Sequence, residues 1–144
     1  MPQLEKRFEV EPRNFVRAGE ASLRVQRTLR DIGFGEHIIR RASVCAYEAE
    51  MNIVMYGGKG EIVLTVDPDE IILQINDDGP GIEDIEAALQ EGFSTASAEY
   101  REMGFGAGMG LPNIKRNADF LDIRSGRNKG VRLKIVFHSK GKQQ

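Results

Sequence analysis

Cysteine is nearly absent: Cys45 stands alone among 144 residues, which excludes an intramolecular disulfide. Its place in a helical pattern makes it a small buried apolar side chain rather than a redox or metal group. Long apolar runs are missing too. No stretch approaches the ~18 apolar residues of a membrane span, and the opening MPQLEKRFEVEPRNF lacks the apolar centre of a signal peptide, so a cytoplasmic location is expected. There is no basic excess. A formal charge of -2 gives no electrostatic reason to expect nucleic acid, so any bound polyanion must be held by local dipoles and a metal. With 40% apolar and 29% charged residues, five prolines and no low-complexity run, the composition is that of an ordinary globular chain. The length fits one domain over residues 1–144, with its core over about 4–138.

Leu4 to Val10 alternates weakly before Pro12 and reads as an edge strand. From Arg13 to Ile32, Phe15, Ala18, Ser22, Val25, Leu29 and Ile32 recur at three- and four-residue steps, which predicts an amphipathic helix closed by Gly33. A second helix is expected from about Glu36 to Tyr56, with Ile38, Ala42, Cys45, Ala49 and Asn52 on one stripe and Gly57-Gly58 as its stop. Glu61–Val66 and Ile71–Asn76 flank Asp67-Pro68-Asp69-Glu70 as an antiparallel hairpin. A long glycine-rich connection follows, read as a mobile lid over about residues 83–107. A short helix from about Met109 to Ala118 and two strands, Phe120–Ser125 and Val131–His138, complete the chain. This order predicts an α+β two-layer sandwich, one mixed, mostly antiparallel sheet backed by three helices.

Three segments carry the chemistry. Glu48 and Asn52 lie four apart on the second helix and project from one face, where a carboxylate and an amide oxygen can serve a hard cation and its waters. Asp77-Asp78-Gly79-Pro80-Gly81-Ile82 follows an apolar strand. Glycine lets backbone approach a ligand there, and a strand-end carboxylate can accept a hydrogen bond from the exocyclic amine of adenine. Gly104-Phe105-Gly106-Ala107-Gly108-Met109-Gly110-Leu111 runs into a helix, so exposed N–H groups and a positive helix end can cradle phosphate. Each segment alone reads as readily as a polar helix face, a plain turn or a hinge. No Walker loop, Rossmann fingerprint or protein-kinase signature occurs.

Taken in order, the three segments resemble the three boxes of the ATPase superfamily that includes gyrase, Hsp90 chaperones, histidine kinases and MutL. Within it, Gly92-Phe93-Ser94-Thr95 and the run from Gly108 to Arg116 are similar to the stand-alone anti-sigma regulatory factors and switch-protein serine/threonine kinases. The resemblance implies Glu48 as general base, Asn52 as Mg²⁺ ligand and Asp77 as adenine reader. It implies Gly79, Gly81 and Ile82 beside the base, and Gly104, Gly106, Gly108, Met109, Gly110 and Leu111 around the triphosphate. Lys115 is a further candidate for phosphate. Glu50 and Asp78 neighbour the motif positions, which leaves open which acid of each pair faces the nucleotide, although helix geometry favours Glu48, with Glu50 about 200° round from it. His37, near a helix start, reads as an exposed or capping residue and His138 ends the last strand; neither reads as a phosphoacceptor.

The function expected from the resemblance is a Mg-ATP-dependent serine/threonine kinase acting on a small antagonist protein. A sigma factor or other switch partner and a homodimer belong to the same expectation. The alternatives are a non-catalytic ATP-dependent binding module and the detached catalytic module of a two-component histidine kinase.

Overall fold

The computed structural model describes residues 3–82, 85–90, 110–126 and 128–139. The elements are β1 (Leu4–Val10), α1 (Glu20–Ile32), α2 (Glu36–Tyr56), β2 (Gly60–Val66), β3 (Glu70–Asp77), α3 (Ile85–Ala88), α4 (Gly110–Asn117), β4 (Phe120–Ser125) and β5 (Val131–His138). The strands form one sheet in the order β1-β2-β3-β5-β4, with β1 at an edge as expected. Every ladder is antiparallel, which corrects the mixed sheet inferred from sequence. The reason is topological: β5 returns beside β3 with its direction reversed, and β4 pairs outside it as the other arm of a hairpin.

Alternation along the strands builds the core. Ile62, Ile75 and Leu133 form one row across three strands, Leu64, Leu73 and Ile135 the next, and Val66, Ile71 and Phe137 the third. All nine belong to the buried core beneath the helices, each contributing roughly 1.5–3 kcal/mol on burial. Asp77 continues the inward parity of Ile71, Leu73 and Ile75 at the end of β3, so the last inward position of an apolar strand is a carboxylate. At the far end of the hairpin, Asp67 Oδ1 accepts the N–H groups of Asp69 (2.8 Å) and Glu70 (3.0 Å), an Asx turn that sets the register.

Helix α2 packs against α1 on one side and α4 on another while lying on the sheet, so residues from several of its faces are buried. Helix α1 begins at Glu20, seven residues later than its apolar spacing predicts. Arg13 and Gly19 both have positive φ (64° and 100°), which breaks a continuous right-handed helix. Residues 11–19 instead form a connection pinned to the end of α2, with the Arg13 guanidinium donating to the carbonyls of Val54 (3.1 Å) and Gly57 (3.2 Å). Phe15 and Ala18 still pack against the core from this connection, which is why their spacing imitates a helix. The expected lid lies outside the described residues except for 85–90, where the four-residue α3 was not anticipated. Among the described residues, no helix is long and apolar enough to cross a membrane.

Candidate functional site

The end of β3 meets the end of α2. Asp77 is 5% exposed, and its Oδ1 accepts the backbone N–H groups of Gly79 (2.7 Å) and Gly58 (3.3 Å). Among the described residues both backbone donors use Oδ1, so Oδ2 keeps its acceptor capacity. The backbones of Gly57-Gly58 and Gly79 lie so close that a Cβ on Gly58 would fall 2.8 Å from the Gly79 nitrogen. Glycine is required there by approach, not by turn geometry. Asp78 is exposed and donates its backbone N–H to the Lys59 carbonyl (3.1 Å). Of the two acids, the buried one is therefore Asp77.

The loop after Asp77 is stitched to the β4–β5 turn. Ile82 N–H donates to Ser125 Oγ (2.7 Å), Ser125 Oγ donates to the Gly130 carbonyl (2.6 Å) and Asn128 N–H donates to the Pro80 carbonyl (2.6 Å). Gly81 has φ of 86°, a conformation that favours glycine at this bend. Arg132 closes the other side by donating to the Asp77 carbonyl (3.1 Å).

Helix α2 separates Glu48 and Glu50 completely. Glu50 is 2% exposed and accepts the N–H groups of Gly19 (2.9 Å), Ala21 (3.2 Å) and Ser22 (2.9 Å). It caps the start of α1, whose own Gly19 offers no side chain for the task. Glu48 lies on a different face, half-buried and close to Asn52. A Cβ on Gly110, the first residue of α4, would sit 3.3 Å from Asn52 Oδ1 and 3.5 Å from Glu48 Oε1. A carboxylate oxygen, an amide oxygen and a helix N-terminus thus converge on one spot.

Leu111 is buried and anchors α4, whereas Lys115 is exposed. Gly104, Gly106, Gly108 and Met109 lie outside the described residues. His37 is exposed, as expected, and so is His138 at the end of β5. An open cleft of about 720 Å³ between α1 and α2, lined in part by Gln26, Arg40, Val44 and Tyr47, also reaches Glu48 but includes neither Asn52 nor Asp77.

Residues 20–141 match the family described as histidine kinase-, DNA gyrase B-, and HSP90-like ATPase. The chain belongs to that ATPase family. It is 31% identical over 111 residues to the serine/threonine-protein kinase RsbT of Bacillus subtilis (strain 168), covering 74% of this chain and 77% of that protein. It is 32% identical over 94 residues to the anti-sigma F factor of Thermoanaerobacter sp. (strain X514), covering 62% of each. Among solved structures, a mycobacterial sensor histidine kinase, MprB, superposes with a TM-score of 0.50 at 18% identity, covering 94% of this chain and 97% of that one. That likeness concerns the fold, an α+β sandwich with an open antiparallel sheet.

Within the ATPase framework, sequence reasoning gave no role to five site neighbours. Gly57 and Gly58 read only as a helix stop, and Ser125 and Arg132 carried no signal because their contacts cross from the β4–β5 hairpin to the β3 loop. Asn113 stood inside the run from Gly108 to Arg116 without a part assigned to it. Its side-chain amide donates from Nδ2 to Glu48 Oε2 at 3.0 Å.

Proposed function

We propose that this chain is a Mg-ATP-dependent serine/threonine protein kinase of the partner-switching type, acting in the cytoplasm on a hydroxyl of a small antagonist protein. The convergence of Glu48 and Asn52 on the first residue of α4, one turn of α2 apart, carries the reading. When bound, Mg-ATP supplies the transferable phosphoryl group and the cation that neutralises its charge. The residues present suit that group. Asn52 offers a neutral oxygen for the cation, and the N-terminus of α4 offers partial positive charge to a polyphosphate. Asp77, buried and already held through Oδ1, offers Oδ2 to the exocyclic amine of adenine; guanine, with an oxygen at that position, would be repelled. Gly79, Gly81 and Ile82 line the adjoining backbone. Glu48 would accept the proton of the acceptor hydroxyl as that oxygen takes the γ-phosphoryl group and the bond to the departing ADP breaks. The names of the relatives, a serine/threonine-protein kinase and anti-sigma F factors, support the class of reaction and of partner.

Two variants one turn apart test the reading. Glu48→Gln is expected to bind Mg-ATP within about twofold of wild type and to transfer phosphate about 10²–10⁴-fold more slowly. Asn52→Ala is expected to lose both affinity and transfer, since the triphosphate charge is then poorly neutralised. Calorimetry and radiolabel transfer to a cognate partner give the two readouts. Full transfer by Glu48→Gln removes the base, and no transfer by folded wild type leaves a non-catalytic binding module.

A further inference from the structure

We propose that Asn113 is a positioning residue for Glu48, oriented in turn by Arg116, an inference that rests on Glu48 being the base. Asn113 lies three residues after Gly110, one turn into α4, so its side chain returns toward the helix start where Glu48 and Asn52 converge. Its Nδ2 donates to Glu48 Oε2 at 3.0 Å, while the Arg116 guanidinium donates to Asn113 Oδ1. The chemistry of the three groups allows one arrangement. A guanidinium only donates and an ionised carboxylate only accepts, so the amide between them must turn its oxygen to Arg116 and its NH₂ to Glu48.

That arrangement divides the two oxygens of Glu48. Oε2 is occupied by Asn113, and Oε1 is the atom that lies 3.5 Å from the Cβ position of Gly110. Fixing one oxygen removes the rotation that would otherwise exchange them, and leaves the other directed at the helix N-terminus to take a proton. A pre-set base costs less reorganisation at the moment of transfer.

Helix α4 is fastened without Asn113. Leu111, Pro112 and Ile114 are buried, the Cys45 thiol donates to the Ile114 carbonyl (3.7 Å) and Arg41 holds the Asn117 carbonyl (2.9 Å). The backbone carbonyl of Asn113 accepts the Asn117 side-chain amide (2.8 Å), a bond that does not depend on the Asn113 side chain. Removing the Asn113 side chain therefore alters Glu48 and spares the fold.

The test is a double-mutant cycle of Asn113→Ala with Glu48→Gln, with Asn113→Asp as an isosteric variant that keeps the shape and loses the donor. Thermal unfolding and Mg-ATP affinity are measured beside transfer. In the wild-type background, both Asn113 variants are expected to lower kcat about 10–100-fold, the range for a residue that orients a functional group, with nucleotide affinity within about twofold. In the Glu48→Gln background the same changes are expected to alter transfer less than about twofold, because the group they act through is gone. A second readout needs no turnover: Glu48→Gln should shift the side-chain amide ¹⁵N–¹H signals of Asn113 in the nucleotide-free protein. Wild-type kcat in both Asn113 variants, with Glu48→Gln slow, overturns the positioning role and leaves the base standing. Equal losses in both backgrounds, or unmoved amide signals, also overturn it. Full transfer by Glu48→Gln alone, or none by folded wild type, removes the base and this proposal together.

Discussion

Glu48 and Glu50 share a helix and a charge, yet their surroundings give them unrelated tasks. The helical screw turns them about 200° apart, sending Glu50 to the start of α1 and Glu48 to the start of α4. Three backbone N–H groups meet the Glu50 side chain in a buried place and complete the helix end it faces. Glu50→Ala leaves those donors unmet and is expected to cost about 2–4 kcal/mol of stability, read as a lower urea midpoint with an unchanged slope. Transfer per folded molecule should remain near wild type, which separates Glu50 from Glu48. Spacing alone was enough to set the two acids on different faces. What it left open was what each face meets, because the partner of Glu50 lies 28–31 residues earlier in the chain. Asp77 and Asp78 were separable by parity once β3 was known to run one residue further than its apolar pattern, to Asp77 itself.

Among the elements, α4 is held at both ends. At its C-terminal side Arg41 donates to the Asn117 carbonyl and to Asp119 Oδ1 (both 2.9 Å), and its guanidinium stands 5.6 Å from the centre of the Phe137 ring. Asp119 Oδ2 accepts the His138 N–H at 2.8 Å, so one ion pair ties α2, α4 and β5 together. The two side chains are only 14% and 12% exposed. Arg41→Ala removes the guanidinium's bonds to Asp119 and to the Asn117 carbonyl from a largely buried place and is expected to lose about 3–5 kcal/mol, measured by chemical denaturation. Replacing Arg41 and Asp119 together by apolar residues of similar volume should recover much of that loss. The strands were legible in the sequence because alternation and turn residues agree; β1, β4 and β5 match their expected bounds. The start of α1 was not, because loop residues that pack on the core keep the same apolar rhythm as helical ones. The sheet's wholly antiparallel pairing was likewise hidden, since neighbour order across a crossover is not written in periodicity.

Across the whole molecule, the core closes over the one thiol. Cys45 is fully buried between α2 and α4, and burial pushes its thiol from 9.0 up to about 12, with Arg41 opposing and Glu48 adding to the shift. In the unfolded chain the thiol titrates near its ordinary value. Between about pH 9 and about pH 12 the native protein therefore keeps a proton that the unfolded chain releases, and this group's contribution to stability falls as pH rises. Below pH 9 both states are protonated and the contribution is constant. Stability measured against pH should decline less steeply in Cys45→Ala than in wild type across that window, and the native thiol should resist Ellman's reagent until the protein unfolds.

The inward parity of Asp77 also limits how this fold can change length. Its carboxylate reaches the site only because it stands an even number of residues from Ile71, Leu73 and Ile75 on one side of β3. A single insertion or deletion between those residues would turn Asp77 to the outer face and bring Asp78 or Asn76 inward. A lineage drifting under selection for the carboxylate can thus lengthen or shorten this strand two residues at a time, or one residue with a compensating bulge. The Asx turn at the opposite end of the hairpin lies outside that span: an insertion there alters the pairing of β2 with β3 but leaves the parity of Asp77 with Ile71, Leu73 and Ile75 as it is.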